Sequence, residues 1–252
     1  MENYKISVIT VCLNSVDTIE DSLMSVAHQD WLNREHIVID GCSGDGTINV
    51  VQKHINNIAF FVSEKDAGIY DAMNKGLELA TGDIICFLNA DDKYSTNFVL
   101  SRVARQMQEN KLDAILADVA FFHPENPMRM IRRYRSDRFT PKRLAWGWMP
   151  AHPALFLNKS VVQRVGRFKT SYRIAGDFDY IARAFYGHDL RYQHIPEVVV
   201  HMQTGGVSTA GLRSKVLLNQ EVLRSCKENG IPTNLFKILS KYPIKLLERT
   251  AR

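Results

Sequence analysis

Apolar and polar residues alternate in blocks along the first ninety positions, and each block has the length of one strand or one helix. Ile6–Leu13 is a β-branched run that predicts a buried strand. Ser15-Val16-Asp17 offers a helix cap, and Thr18–His28 sets Ile19, Leu23, Val26 and Ala27 at a helical period. His36–Asp40 predicts a second strand, GCSGDGT a turn-rich loop, and Thr47–His54 a second helix. Ala59–Ser63 then reads as a strand, Asp71–Leu79 as a helix, and Asp83–Leu88 as a fourth strand. The order β-α-β-α-β-α-β predicts an α/β fold with a doubly wound, mostly parallel sheet.

The pattern loosens afterwards. Asn97–Asn110 predicts a helix and Ala114–Phe122 a strand. Residues 123–150 are rich in Arg, Pro, Met and aromatics without a clear period, and MIRRYRSDRF within them reads as a strand or loop lining a surface for anions. Ala154–Leu157 and Val198–Met202 read as strands, Ser160–Val165 and Asp177–Tyr186 as helices. The tail, Leu212–Arg252, reads as a basic helical extension with Pro243 kinking it. Lys237, Lys241, Lys245 and Arg249 recur every four residues beside Leu235, Phe236, Ile238, Leu239, Ile244, Leu246 and Leu247. Two readings stand: a helix packed on the domain, or a surface helix lying on anionic lipid through 235–252. The expected division is 1–211 as one domain, in halves 1–92 and 93–211, followed by 212–252.

In doubly wound sheets, ligands sit beyond the carboxyl ends of the strands. Asn14, Asp40 and Asn89-Ala90-Asp91-Asp92 all fall at such ends, which predicts one shared site. Adjacent carboxylates at a buried strand end supply hard oxygen ligands suited to Mg²⁺ or Mn²⁺ and, through the cation, to phosphate. That chemistry predicts an enzyme acting on a phosphorylated or nucleotide-activated substrate.

Charge adds a direction. The chain carries a net +5, yet of its 32 basic residues only Lys5, Arg34, Lys53, Lys65 and Lys75 precede position 93. The basic second part suits an anionic substrate, anionic lipid or nucleic acid. Cys12, Cys42, Cys86 and Cys226 lack CxxC spacing, which predicts reduced thiols and no zinc site. No apolar run approaches the roughly 20 residues that span a bilayer. The N-terminus lacks a basic n-region and a small-residue cleavage site. Those features predict a cytoplasmic protein, with the lysine stripe offering contact with the inner face of the cell membrane.

Four segments in order, ISVITVCLN, IVIDGCSGDGT, EKDAGIYDAMNKG and FLNADD, resemble the inverting family 2 glycosyltransferases of GT-A fold. Among these the chain is similar to bacterial enzymes that build capsular, exopolysaccharide or O-antigen repeat units, including the colanic-acid type. The resemblance implies that 1–92 binds a nucleotide-sugar and that 93–211 binds the acceptor. Thr10 and Asn14 would line the nucleotide pocket, and Asp40 would hydrogen-bond the base. Asp66, Gly68, Tyr70, Asp71, Asn74 and Lys75 match a donor-binding segment, with Lys75 able to neutralise phosphate. Asn89-Ala90-Asp91 takes the place of the family's DxD, its first Asp being Asn here. Asp91 would then be the direct metal ligand, with Asp92 supporting it or sharing the metal.

AGDFDYIAR resembles the helix that carries the family's general base, which aligns with Asp177, Gly176 standing where Glu is frequent. Asp179 is the rival, with an acceptor-side role as its alternative, and Arg183 a structural or phosphate partner. His152 matches a His before the acceptor-side strand, and His201 falls where it could reach the metal. Gly205-Gly206-Val207-Ser208 reads as a loop closing over the diphosphate. The implied reaction is metal-dependent and inverting, from a UDP-sugar in preference to GDP, onto a saccharide acceptor, with a polyprenyl-diphosphate-linked sugar explaining the basic half (Arg129, Arg132, Arg133, Arg135, Arg138). A sugar-phosphate nucleotidyltransferase would open with a glycine-rich basic loop, which ISVITVCLNSVDT lacks. A non-enzymatic polyanion binder would explain the charge but not carboxylates converging at strand ends. Those carboxylates repel phosphate without a metal, so no nucleic-acid partner is expected.

Overall fold

The computed structural model describes residues 4–123, 126–203 and 211–240, leaving aside the side chains of 126–129 and 212. Arg129's side chain, the 205–208 loop, Pro243, Lys241, Lys245 and Arg249 therefore lie outside the described residues. Within them the βα units follow the apolar blocks: β1 Ile6–Cys12, α1 Ile19–Ala27, β2 Arg34–Asp40, α2 Thr47–Lys53, β3 Phe60–Ser63, α3 Ile69–Leu79 and β4 Ile84–Phe87. The second half adds β5 Asp92–Tyr94, α4 Val99–Asn110, β6 Ala114–His123, β7 Asn126–Tyr134, β8 Leu155–Asn158, α5 Lys159–Val165, α6 Gly176–Phe185 and β9 Tyr192–Gln203. The chain continues through α7 Leu212–Glu228 and α8 Leu235–Leu239.

One sheet runs β3-β2-β1-β4-β8-β6-β9-β5, with β7 paired to β6. The first four strands are parallel neighbours, so their carboxyl ends share one edge. β8 runs against both β4 and β6, while β9 is parallel to β6. Every side chain of β1 is buried because helices cover both of its faces, which is why its sequence is a continuous β-branched run and not an alternation. Each fully buried Ile or Val there contributes about 1.5–3 kcal/mol.

Three elements differ from the sequence expectation. β5 occupies residues read only as an acidic cluster, because Asp92, Lys93 and Tyr94 find ladder partners in Met202, His201 and Val200. β9 begins six residues earlier than its apolar run, since pairing with β6 extends it. The register jumps between Ala117↔Ile195 and Asp118↔Val198, so Pro196, which has no N–H to give the ladder, falls in the irregularity. The tail is not continuous either. Gly230 takes the left-handed conformation at φ 66°, Pro232 follows, and α7 and α8 separate there.

α7, α8 and the link between them enter the same core as α3 and α6: Val222, Cys226, Ile231 and Ile238 cluster with Tyr70, Phe168 and Phe178. Their outer face leaves Leu235, Phe236 and Leu239 exposed. No helix among the described residues is long and apolar enough to cross a membrane.

Candidate functional site

The parallel edge gathers polar side chains from four adjacent strands. Beyond β1, Asn14 adopts φ 50°, its N–H donates to Ser43 Oγ at 2.8 Å, and its Oδ1 accepts Gly44 N–H at 3.0 Å. It clamps the loop after β2 and stays exposed. Thr10, expected in the pocket, is fully buried and shares a 2.9 Å hydrogen bond with His36 Nε2. Burial and the nearby Arg34 push His36 down to about 3, so it is neutral. The Thr10 side chain is therefore an interior group, turned away from the open edge.

Asp40 is likewise an interior group. Its fully buried carboxylate accepts the N–H groups of Cys42 and Ser43 and the hydroxyls of Ser43 and Ser63. Burial works to raise its carboxyl, but those bonds win and hold it below the usual range. With Cys12 Sγ 3.6 Å from its Oδ1, five donors surround this carboxylate. The carboxylate that stands at the end of β2 instead belongs to Asp66. Its Oδ1 accepts Gly68 N–H at 2.9 Å. Its Oδ2 lies 2.6 Å from where a Cβ on Gly41 would be. Only glycine at 41 admits that approach.

The segment after β3 holds itself together. Asp71 Oδ2 accepts Ala67 N–H at 3.0 Å. Lys75 Nζ sits 2.9 Å from Glu64 and donates to Lys65 C=O at 2.9 Å, so this lysine braces the loop. Asn74, also expected at the donor, is buried and pins a distant turn: its Nδ2 donates to Phe168 C=O and its Oδ1 accepts Phe168 N–H. Its polar atoms are satisfied there.

At the end of β4, Ser22 Oγ donates to Asn89 C=O and Asp92 N–H closes a turn onto the same oxygen. Asn89 Nδ2 donates to Asp92 Oδ2 at 3.0 Å. Ala90 and Asp92 are buried, whereas Asp91 reaches solvent. Burial, then the Asp91 charge, raises Asp92 well above the carboxylate range; crowding around Asp91 raises it too. Asn89 Oδ1 and Asp92 Oδ1 are buried without a hydrogen-bond partner. Orphaned hard oxygens behind an exposed carboxylate fit a hard divalent cation that takes most of its remaining ligands from water and substrate phosphate. No cluster of three acidic, His or Cys side chains able to enclose a metal occurs among the described residues. His201 stands opposite Lys93 on β9, its ring 4.5 Å from Phe122, and burial lowers its basicity.

Asp177 arrives from the second half, in the first turn of α6. Its Oδ1 accepts Phe178 N–H at 2.7 Å. Burial pushes its carboxyl up to about 6, against that backbone bond and with help from the Glu221 charge. Its rival Asp179 is fully buried and bonded to Lys169, Arg183, Ser225 and Asn229, so it holds α6 to α7. Arg183 also donates to Val165 C=O and Arg167 C=O, which makes it a structural partner. His152 is buried, pushed down to about 4 by that burial, and stacked 5.1 Å from Phe87. Its ring is part of the packing under β4.

One aromatic layer joins the two halves beneath the site. Phe168 lies 5.8 Å from Tyr70, 5.4 Å from Phe87 and 4.0 Å from Tyr180. Tyr70 O–H donates to Ile174 C=O at 2.7 Å, tying α3 to the turn before Asp177. Phe168, Gly41 and Glu221 were missed in sequence; the Gly41 position beside a strand-end Asp was the one available signal.

A cavity of about 220 Å³ opens farther into the second half, lined by Arg132, Arg133, Arg135, Arg138, Arg143 and Trp148 among others. Arg133 pairs with buried Asp118 and Arg135 with Asp137. Ser136, also in its wall, accepts Ala151 N–H, one residue from His152.

Residues 7–166 match the family described as Glycosyl transferase family 2. Over 208 residues the chain is 30% identical to a PGL/p-HBAD biosynthesis glycosyltransferase of Mycobacterium bovis (strain BCG / Pasteur 1173P2), covering 80% of this chain and 78% of that one. Its fold is similar to that of S. aureus TarS 1-349 in complex with UDP-GlcNAc, with a TM-score of 0.69 at 19% identity, covering 88% of this chain and 66% of that one. The chain spans 43% of the longer TarS chain. It is also similar to a mannosyltransferase from Pyrobaculum calidifontis in complex with GDP-Man and Mn²⁺, at a TM-score of 0.65 and 21% identity, covering 95% and 69%. These structural likenesses establish the GT-A glycosyltransferase fold. With the family match over residues 7–166 and 30% identity over 208 residues to that relative, the chain belongs to glycosyl transferase family 2 and is a glycosyltransferase.

Proposed function

We propose that this enzyme moves a sugar from a nucleoside-diphosphate sugar, UDP favoured as carrier, to a saccharide hydroxyl with inversion at the anomeric carbon. One observation carries the reading: a strand-end edge bearing Asp66 and Asp91 is joined, through the Tyr70–Phe168 layer, to a carboxylate raised to about 6 at Asp177. Asp66 Oδ2 would accept a base N–H, a contact that uracil and guanine offer. A similar fold solved with UDP-GlcNAc is in line with UDP. Asp91, backed by Asn89 and Asp92, would hold Mn²⁺ or Mg²⁺ with the donor's diphosphate. When bound, that cation supplies charge stabilisation to the leaving group.

Asp177 takes the proton of the acceptor hydroxyl. The freed oxygen pair forms the new bond to the anomeric carbon while the bond to the diphosphate breaks and its pair departs with phosphate. No covalent enzyme intermediate is required. The arginine-lined cavity supports an anionic acceptor, a polyprenyl-diphosphate-linked saccharide of a surface polysaccharide. Lys237, 5.6 Å over the Trp146 ring, and exposed Leu235, Phe236 and Leu239 support peripheral contact with anionic membrane.

Thermal shift against UDP, GDP, CMP and ATP, each with and without Mn²⁺, tests the donor half. Binding at a hundredfold excess over Kd stabilises by about 2.7 kcal/mol. The expected result is a metal-dependent shift with UDP that Asp91→Asn abolishes. Equal, metal-independent shifts with all four would refute the reading and indicate a general polyanion binder.

A further inference from the structure

We infer that Glu221, on α7 beyond the family match, is a positioning residue of the transfer centre: its carboxylate gathers three successive backbone N–H groups and fixes the turn that delivers Asp177. The inference rests on the proposed role of Asp177 as base. Glu221 Oε1 accepts Arg173 N–H at 2.8 Å. Its Oε2 accepts Ile174 N–H at 2.9 Å and Ala175 N–H at 2.8 Å. The carboxylate is 6% exposed. A buried carboxylate is costly unless hydrogen-bonded, and three N–H donors supply that compensation.

The turn is held from the other side as well. Ile174 C=O accepts the Tyr70 hydroxyl, so residue 174 is fixed by its N–H from α7 and by its C=O from α3. A second tie lies one turn along α6, where Asp179 accepts from Ser225 and Asn229 at the same α7 face. The C-terminal segment is thereby part of the frame around the base. Misplacing a reacting group by about 1 Å can cost roughly a hundredfold in rate, which gives this clamp its leverage.

Glu221 also acts through charge. Among the described residues, the titratable groups facing Asp177 are Glu221 from α7 and Tyr70 from α3, whose hydroxyl is committed to Ile174. On α6 itself Asp179 is neutralised by Arg183 and Lys169. Glu221 is thus the negative neighbour that disfavours ionisation of Asp177 and keeps it a stronger base.

Glu221→Gln and Glu221→Asp separate the two effects. In Glu221→Gln, kcat should fall roughly ten- to a hundredfold with donor KM unchanged, and the acid limb of the rate profile should move to lower pH. In Glu221→Asp, which keeps the charge but shortens the reach, kcat should fall while the limb stays. A folded variant with the parent's kcat and pH profile overturns the inference. Hydrogen exchange of the 173–175 amides in the unmodified protein is a readout independent of variant folding. Slow exchange is expected, and exchange as fast as an open loop overturns the clamp. Transfer by the parent enzyme is the control: a parent with no transfer activity contradicts the proposed function, whereas an active parent with an indifferent Glu221 contradicts only this inference.

Discussion

The ring of Tyr70 occupies the space that a side chain on Gly176 would need: a Cβ there would lie 2.6 Å from the Tyr70 Cε2 atom. Tyr70 of α3 thus packs against the first residue of α6. The contact joins the donor-side loop to the residue directly before the candidate base. Gly176→Ala should therefore cost about 1–3 kcal/mol by overpacking and lower kcat more than donor affinity. Urea unfolding and a KM-against-kcat comparison check this. An alanine variant with parental stability would mean that the ring yields freely.

Asp177 sets the expected pH dependence. Its carboxyl stands at about 6 instead of the ordinary 3.8, so in the folded protein it becomes a base only above about 6. Rate should rise through that pH and then level. Folding favours its protonated form, so its ionisation withdraws stability as pH rises from 3.8 through 6. Asp177→Asn should lower kcat by about 10²–10⁴ and leave nucleotide binding intact. A rate profile flat from pH 5 to 8 (roughly one unit below to two above the raised value) would count against the assignment.

Asp40 and Asp66 should separate cleanly. Asp40→Asn disturbs hydrogen bonds from the loop after β2 and from Ser63 and Cys12 on the neighbouring strands, and should lower the melting temperature. Losing a buried partner of this kind costs about 1–3 kcal/mol. Asp66→Asn should leave the melting temperature near the parent's and raise donor KM. Parallel melting curves and donor titrations decide between them; the reverse pattern would return base contact to Asp40.

Glu35 gives a prediction about acid stability. It is buried between Lys5, Ser7 and Thr81. Burial alone would raise it, but the Lys5, Ser7 and Thr81 bonds hold it at about 2, against an ordinary 4.5. Its contribution is present above pH 4.5 and is lost as pH falls from 4.5 through 2, amounting to at most about 3 kcal/mol. Glu35→Gln should be less stable than the parent at pH 7, and the gap should close across that window. A gap independent of pH would show that the charge is not what the site holds.

The sequence by itself determined the sheet edge and its carboxylates. β-branched runs, helical periods and turn residues are local signals, so β1 to β4, α1 to α3 and the strand-end positions of Asn14 and Asp91 could be read from neighbouring residues. Asp177 was singled out only through the resemblance of AGDFDYIAR to a family helix, not through any local period. Tertiary structure alone decided which polar side chains remain available. Asn74 finds Phe168 across 94 residues of chain, and Thr10 finds His36 across 26. Glu221 reaches the turn before α6 across 46 to 48 residues. A buried polar atom must be satisfied, but which partner satisfies it depends on what packing brings within about 3 Å, and no local pattern encodes that choice.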